Sequence, residues 1–333
     1  VPFIVGAPSA SPRLVSVASS LPPTEVLEVT FRWEGGETVQ PAVESSIARP
    51  LAEAGRIEDD LAWFGRGCNG DVPVQEVNEK VALVARGDCV FGEKLLNAQA
   101  AGAIAVVMYT NNQPKNAMGG GAEGITIPAV MIDNAPGLDL TQRLEGGQAV
   151  RVVIDAAGKR LDATNADGIS GFSSRGPSKN GALKPDITAP GSNIMSAAMG
   201  SGDRGVSLGG TSMASPHVAG AAALVHHRNR AEGLDLSALD VAALLMNYAR
   251  PVVFDTAGAR PMVPVVRQGA GVIDLWRSGT ADLVVRAGDI ASLNLGPLYA
   301  VGPLRVERRL AARNVGDAPL TVRVAARFAY DED

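Results

Sequence analysis

The sequence predicts an α/β protein: one unit interrupted by a second, followed by the start of an all-strand segment. Three observations carry this expectation. Residues Gly209-Gly210-Thr211-Ser212-Met213-Ala214-Ser215-Pro216-His217-Val218-Ala219-Gly220 read as a loop that tightens into a helix. Between residues 80 and 132, short apolar runs alternate with a single helical pattern. Beyond Ala281 only strand-like patterning remains.

Composition narrows the function classes. With 333 residues, 46% hydrophobic and 20% charged, there is material for an ample core and for about two or three domains. The balance of 30 basic to 35 acidic residues leaves no electrostatic surface suited to nucleic acid. No apolar run reaches the roughly 18 residues of a membrane span. The chain starts at Val1 without a basic n-region or signal peptide, and Tyr330-Asp331-Glu332-Asp333 falls in mid-pattern. It is therefore expected to be a piece of a longer protein. Cys68 and Cys89 are too few for a zinc site by themselves. Pairing in an exported protein and two buried thiols both remain open, and the Cα atoms are expected within disulfide reach, below about 7 Å.

In chain order, Phe3 to Gly6 and Leu14 to Ala18 read as buried strands around a Pro/Ser turn. Glu25 to Phe31 alternates as a half-exposed strand, Gly35-Gly36 turns, and a mixed stretch runs to Cys68. Lys80 to Cys89 is a buried strand closed by a turn. Phe91 to Ala101 is helical, with Phe91, Leu95, Ala98 and Ala101 on one face and Gly102 as its stop. Ala103 to Tyr109 and Ile127 to Ile132 are further apolar strands, separated by a loop at Gly119 to Gly121. The Pro- and Gly-rich residues 157–208 suggest tight turns and short strands. A helix from Ser212 to about Arg230 is followed by a second over Ser237 to Ala249, with Leu239, Val241, Leu244 and Leu245 as its apolar face. Strands are then expected at Leu283 to Val285, Leu293 to Leu295, Leu304 to Leu310 and Leu320 to Val324, with a turn over Asn314 to Asp317.

The stretch from Gly209 carries the chemistry. Two glycines permit a sharp turn and close backbone approach. Ser212 suits an N-cap, Pro216 a first turn where a missing N–H costs least, and Ala219 to Val225 a buried helix. A serine at that point has unpaired backbone N–H groups and the positive end of the helix dipole beside its Oγ, which stabilise an oxyanion in acyl transfer. The plainer alternative is a serine that only caps a helix. It accounts for Ser212 but not for the residues around it.

Gly210-Thr211-Ser212-Met213-Ala214-Ser215-Pro216-His217-Val218-Ala219-Gly220 resembles the nucleophile motif of the subtilisin-like serine proteases, peptidase family S8. Phe172-Ser173-Ser174-Arg175-Gly176-Pro177-Ser178, Leu183 to Gly191 and Arg267 to Asp274 resemble other signatures of that family. The resemblance implies Ser212 as nucleophile with its own N–H in the oxyanion hole. It also implies Thr211 as support for that hole, Gly209 and Gly210 beside the substrate, and His217 in a structural role. It further implies an incomplete parallel-sheet catalytic domain over 1–22 and 157–280. Within it, strand, Arg86-Gly87-Asp88-Cys89 turn, helix, Ala101-Gly102-Ala103, strand and Ile127-Pro128-Ala129-Val130 resemble the protease-associated domain. That unit is placed at 23–156, an insertion made easy when its ends lie close together. Arg86-Gly87-Asp88 as an integrin-type ligand is set aside, because a strand-end turn explains it. Residues 281–333 resemble the beginning of a fibronectin-like β-sandwich of large cell-envelope subtilases.

In this family the order along the chain is Asp, His, Ser. The three histidines, His217, His226 and His227, all follow Ser212. Asp255-Thr256-Ala257-Gly258 also follows it and has an extra alanine, so it is not taken as the triad aspartate. The oxyanion asparagine is expected before Val1. The implied function is a secreted or cell-envelope endopeptidase acting on protein or peptide substrates through a seryl acyl-enzyme, with this stretch inert alone. No cofactor is indicated, and no motif in the chain speaks for or against calcium. A non-catalytic module that binds peptides or proteins through the inserted unit is the alternative. A zinc aminopeptidase with the same accessory domain is disfavoured, since three clustered histidines do not make the usual carboxylate and histidine set.

Overall fold

A computed structural model describes residues 5–111, 115–119, 123–163, 166–200, 202–203, 205–252, 262–295, 298 and 301–325. Phe3 and Ile4 of the first expected strand, Gly120 and Gly121 of the expected loop, Asp255 to Gly258 and Tyr330 to Asp333 lie outside them. In chain order the elements are β1 (Val17–Ser20), β2 (Thr24–Trp33), β3 (Gly36–Glu44), α1 (Leu51–Ala54), β4 (Ile57–Gly65), β5 (Val81–Ala85), α2 (Phe91–Ala100), β6 (Ala105–Tyr109), β7 (Ala129–Ile132), α3 (Asn134–Glu145), β8 (Val150–Ile154) and β9 (Arg160–Asp162). They continue with β10 (Ile187–Pro190), β11 (Ile194–Ala197), β12 (Gly205–Leu208), α4 (Thr211–Glu232), α5 (Ala238–Asn247), α6 (Val265–Gln268), α7 (Leu275–Thr280), β13 (Leu283–Arg286) and β14 (Ala311–Asn314). The chain divides into two compact units. Unit 1 comprises 1–22, 167–192 and 210–333, and unit 2 comprises 23–166 and 193–209.

In unit 2 the strands run β3-β7-β6-β5-β4-β8-β2, and β2 pairs with β3 to close the ring. Closure leaves these strands without an open edge. β4 to β7 are parallel neighbours, and the other pairings are antiparallel. β5, β6 and β7 are buried on both faces, which is why they read as continuous apolar runs. Alternate residues serve two cores. Leu83, Val107 and Val130 pack with Leu140 and Leu144 of α3. Val84, Met108 and Met131 pack with Leu95 and Ala98 of α2. Gly102 ends the α2 segment at φ +86°, and a Cβ there would collide with the Asn78 side chain. Cys68, after β4, and Cys89, before α2, form a disulfide with Cα atoms 5.8 Å apart. Of the two alternatives for the cysteines, pairing is the one realised. The antiparallel β11–β12 hairpin groups with this unit. Ser46 Oγ donates to the Ser207 carbonyl at 3.1 Å, and the Ala117 N–H to Asn193 Oδ1 at 2.9 Å. The unit's first and last strands are neighbours, with Thr24 opposite Asp162 and Val26 opposite Arg160.

In unit 1, β1 and β10 pair in parallel from Val17 opposite Ile187 to Ser20 opposite Pro190. Ile187 and Ala189 pack against Ala214 and Val218 of α4 and against Val241 and Leu244 of α5. β1 starts later than the apolar run predicts, leaving Leu14 and Val15 48% and 38% exposed. Side chains share the backbone before it with main-chain bonds, the Ser16 carbonyl accepting the Asp186 N–H at 2.8 Å. Lys184 Nζ donates to the Leu14 carbonyl at 2.8 Å, and the Ser16 N–H to Asp186 Oδ2 at 2.7 Å. After Leu21 the chain departs, and it returns beside the same residue. Leu21 N–H donates to the Gly168 carbonyl and Asp167 N–H to the Leu21 carbonyl, both at 2.8 Å. At the far end β13 and β14 form an antiparallel pair. No strand forms over 293–295, 304–310 or 320–324, where the sequence predicts them. Among the described residues this ladder has no second sheet to bury alternating side chains, and Leu304, Leu310, Leu320 and Val322 stay exposed.

Candidate active site

α4 starts at Thr211, with Gly210 as N-cap. The Met213 N–H donates to the Gly210 carbonyl at 2.9 Å, so the helix begins before Ser212. The expected N-cap serine is therefore the second helical residue. Its N–H belongs to the first four of the helix, which have no acceptor within it. Pro216 is the sixth residue, beyond the expected first turn. Lacking an N–H, it leaves the Ser212 carbonyl without its i+4 donor. The helix is also not buried all round. Ala214, Val218, Ala221 and Val225 are covered, whereas Ala219, Gly220, Ala223 and Leu224 are exposed, Leu224 at 57%. β1 and β10 cover only one face.

Ser212 is exposed, Thr211 and Gly210 are half-buried, and Gly209 is exposed. Ser212 and Thr211 line an open cleft of about 330 Å³ together with Ser16, Ala18, Ser173 and Ser174. His217, expected to turn into the structure, is exposed instead. Its Nδ1 lies 2.8 Å from the Met213 carbonyl of its own helix and donates there, since a carbonyl only accepts. His226 and His227 are exposed and, at about 1.5 Å of rise per residue, stand roughly 21–22 Å from Ser212 along α4. Among the described residues no side chain hydrogen-bonds Ser212 Oγ, so none of the three histidines is placed as its base.

Near the cleft, burial pushes the Asp186 carboxyl above the usual carboxylate range, opposed by the Lys184 ammonium and the Ser16 N–H. Lys184 Nζ is 2.5 Å from Asp186 Oδ2, and both side chains are largely buried. Among the described residues, the one cluster with metal-donor spacing is Cys68, Cys89 and Glu93, whose two sulfurs are spent in the disulfide.

The glycine that sequence reasoning missed is Gly191. Its carbonyl accepts the Gly210 N–H at 2.6 Å, and its own N–H donates to the Ser20 carbonyl at 3.0 Å. A Cβ on Gly191 would lie 2.7 Å from the Gly210 carbonyl oxygen and collide with Ser19 Oγ. On Gly210, expected to permit close approach, a Cβ would meet nothing nearer than 3.6 Å. The signal was present in Ala189-Pro190-Gly191, a turn directly after a buried strand.

A serine at an exposed helix N-terminus, with unpaired N–H groups beside its hydroxyl and an open cleft in front, is a geometry suited to acyl transfer. The sequence profile described as the Subtilase family matches residues 91–271, and the chain belongs to that family of subtilisin-like serine proteases. It is 28% identical over 300 residues to the C5a peptidase of Streptococcus pyogenes serotype M3, covering 87% of this chain and 24% of that protein. It is 31% identical over 291 residues to the minor extracellular protease Vpr of Bacillus subtilis, covering 86% and 34%. To the PII-type proteinase of Lacticaseibacillus paracasei it is 28% identical over 294 residues, covering 82% and 15%. The chain thus spans about a quarter of the C5a peptidase.

Proposed function

We propose that this chain carries the nucleophile of a secreted or cell-envelope subtilisin-like endopeptidase. Ser212 Oγ attacks the scissile carbonyl of a protein or peptide substrate while a base takes its proton. The oxyanion so formed faces the Ser212 N–H and the N-terminus of α4, with Thr211 holding that turn and Gly209 and Gly210 flanking the substrate. The amine then leaves, and water hydrolyses the acyl-enzyme. Residues 1–22 and 157–280 are read as part of the catalytic domain, 23–156 as the protease-associated insertion, and 281–333 as the start of a fibronectin-like domain. The observation that carries the proposal is Ser212, exposed at the second position of α4 beside the cleft. The extracellular relative Vpr supports the location.

The base and the oxyanion asparagine are assigned to segments upstream of Val1, so the chain alone is proposed to be inert. In subtilisin, the family's reference case, losing the serine or histidine costs about 10⁶-fold in turnover. That is roughly 8 kcal/mol of barrier. A missing oxyanion donor costs a further ~10²–10³-fold there. A fluorophosphonate probe tests this directly. A form extended upstream to include the Asp, His and Asn segments is expected to label, and Ser212→Ala to abolish labelling. The short chain, shown to be soluble and folded, is expected not to label. Labelling by it at the rate of the long form would refute the missing-base reading. A folded long form that stays unlabelled would instead favour a binding module.

A further inference from the structure

Behind the N-terminus of α4, buried hydroxyls form a chain. Ser19 Oγ and Ser170 Oγ are 2.8 Å apart, and Ser170 Oγ and Ser192 Oγ 2.9 Å. Ser173 Oγ accepts the Ser19 N–H at 3.0 Å. All four serines are at most 3% exposed. A hydroxyl so placed is stable only when hydrogen-bonded; those of Ser19, Ser170 and Ser192 bond to one another, and that of Ser173 to backbone. They thereby tie the end of β1 to the 170–173 segment and to the turn after β10. That turn carries Gly191, from whose carbonyl the Gly210 N–H hangs. Gly210 itself is in extended backbone that any residue adopts. Its position is therefore set from outside, by Gly191, and not by its own conformational freedom.

We propose that Gly191 and the Ser19–Ser170–Ser192 chain are positioning residues for the nucleophile. They fix the N-cap of α4 against the ends of β1 and β10, and so fix the direction of the Ser212 N–H and Oγ toward the cleft. The inference rests on the reading of Ser212 as nucleophile. An extra carbon at residue 191 meets backbone oxygen on one side, which no rotamer change relieves, so it must displace Gly210. Misplacement of a reacting group by about 1 Å is enough to lose on the order of 10²-fold in rate.

The test is fluorophosphonate labelling of the upstream-extended form, following both endpoint and rate. The endpoint counts competent sites, and the rate reads the alignment of the hydroxyl. Gly191→Ala is expected to reach the parent's endpoint at about 10²-fold lower rate. Adding Ser19→Ala removes the hydroxyl collision but leaves the Gly210 carbonyl in place, and is expected to stay slow. Parent rate in either variant overturns the proposal, as does a reduced endpoint at parent rate, the mark of a merely structural role. If Gly191→Ala does not fold, Ser170→Ala decides, since it removes the middle hydroxyl without adding an atom. It is expected to label several-fold more slowly to the full endpoint, and parent rate would overturn the chain's role. An unlabelled parent would place the failure with the nucleophile reading, and the positioning proposal would fall with it.

Discussion

The two units hold their central strands by different means. In unit 2, β5, β6 and β7 lie between two apolar cores and are paired on both edges within the ring of strands. In unit 1, β1 and β10 are apolar on the side of α4 and α5. At their ends they are met by serines, a buried ion pair and a glycine turn. Apolar packing tolerates substitution of like volume, whereas a polar contact network depends on each member. The difference teaches where precision is concentrated: at the strand ends beneath Ser212.

The largest effect on stability is expected from Lys184→Met, which strands Asp186 as a buried, unpaired carboxylate. The cost is about 3–5 kcal/mol at neutral pH. Burial already raises the Asp186 carboxyl in the folded state, and loss of the ammonium raises it further. The penalty therefore grows as pH rises above the unfolded carboxylate range and is relieved as pH falls and the group protonates. Denaturant midpoints at acid and neutral pH, with hydrogen exchange of β1 and β10, measure it. An unchanged midpoint at neutral pH would mean that the polar contacts at these strand ends are not what holds unit 1.

Next, replacing both Cys68 and Cys89 by Ser is expected to cost about 3 kcal/mol, the loop-closure value for their separation of 21 residues. Hydrogen exchange should show the loss around β4 and α2. A loss centred on β1 and β10 would break the contrast between the units. The smallest effect is expected from Asp240→Asn, about 1–2 kcal/mol. Asp240 completes a capping box with Ser237, and its carboxylate lies 3.6 Å from Arg286 Nε and 3.5 Å from Arg313 Nη1. Burial pushes this carboxyl up, but the Ser237 hydroxyl and N–H and the two arginines outweigh it, and the net direction is down. Its contribution is thus fully present above about pH 4 and lost as pH falls through the lower folded value. The gap between wild type and variant should close in acid, as denaturant midpoints across that range would show.

Legibility in the sequence followed the same division. The apolar runs of β5, β6 and β7 and the face of α2 could be read because strands buried on both sides, and a helix on a core, each leave a local pattern. β3 and β4 were hidden in the mixed stretch before Cys68. β3 contains Pro41 and few apolar residues, and β4 opens with Ile57-Glu58-Asp59-Asp60 before its buried half. Their place depends on ring closure, which is a non-local property. At the candidate site, the motif marked Ser212 but not its helical position. The first helical bonds go to the Gly210 carbonyl, whose placement depends on Gly191 and the hydroxyls behind it. Those residues lie on three separated segments, so no local pattern joins them.

The return of the chain to Leu21 also bears on folding order. Closing a flexible loop becomes more unfavourable with the logarithm of its length, about 0.6 kcal/mol per doubling. Were residues 22–166 unstructured, pairing Leu21 with Asp167 and Gly168 would cost about 3 kcal/mol more than closing a turn of a few residues. Once Thr24 to Val26 have paired with Arg160 to Asp162, the two ends already run side by side, and only short connections are left to close. Folding of unit 2 thus shortens the effective loop closed at Leu21. A lesion that delays β2–β9 pairing should slow assembly of the strands beneath Ser212 without altering any contact they make.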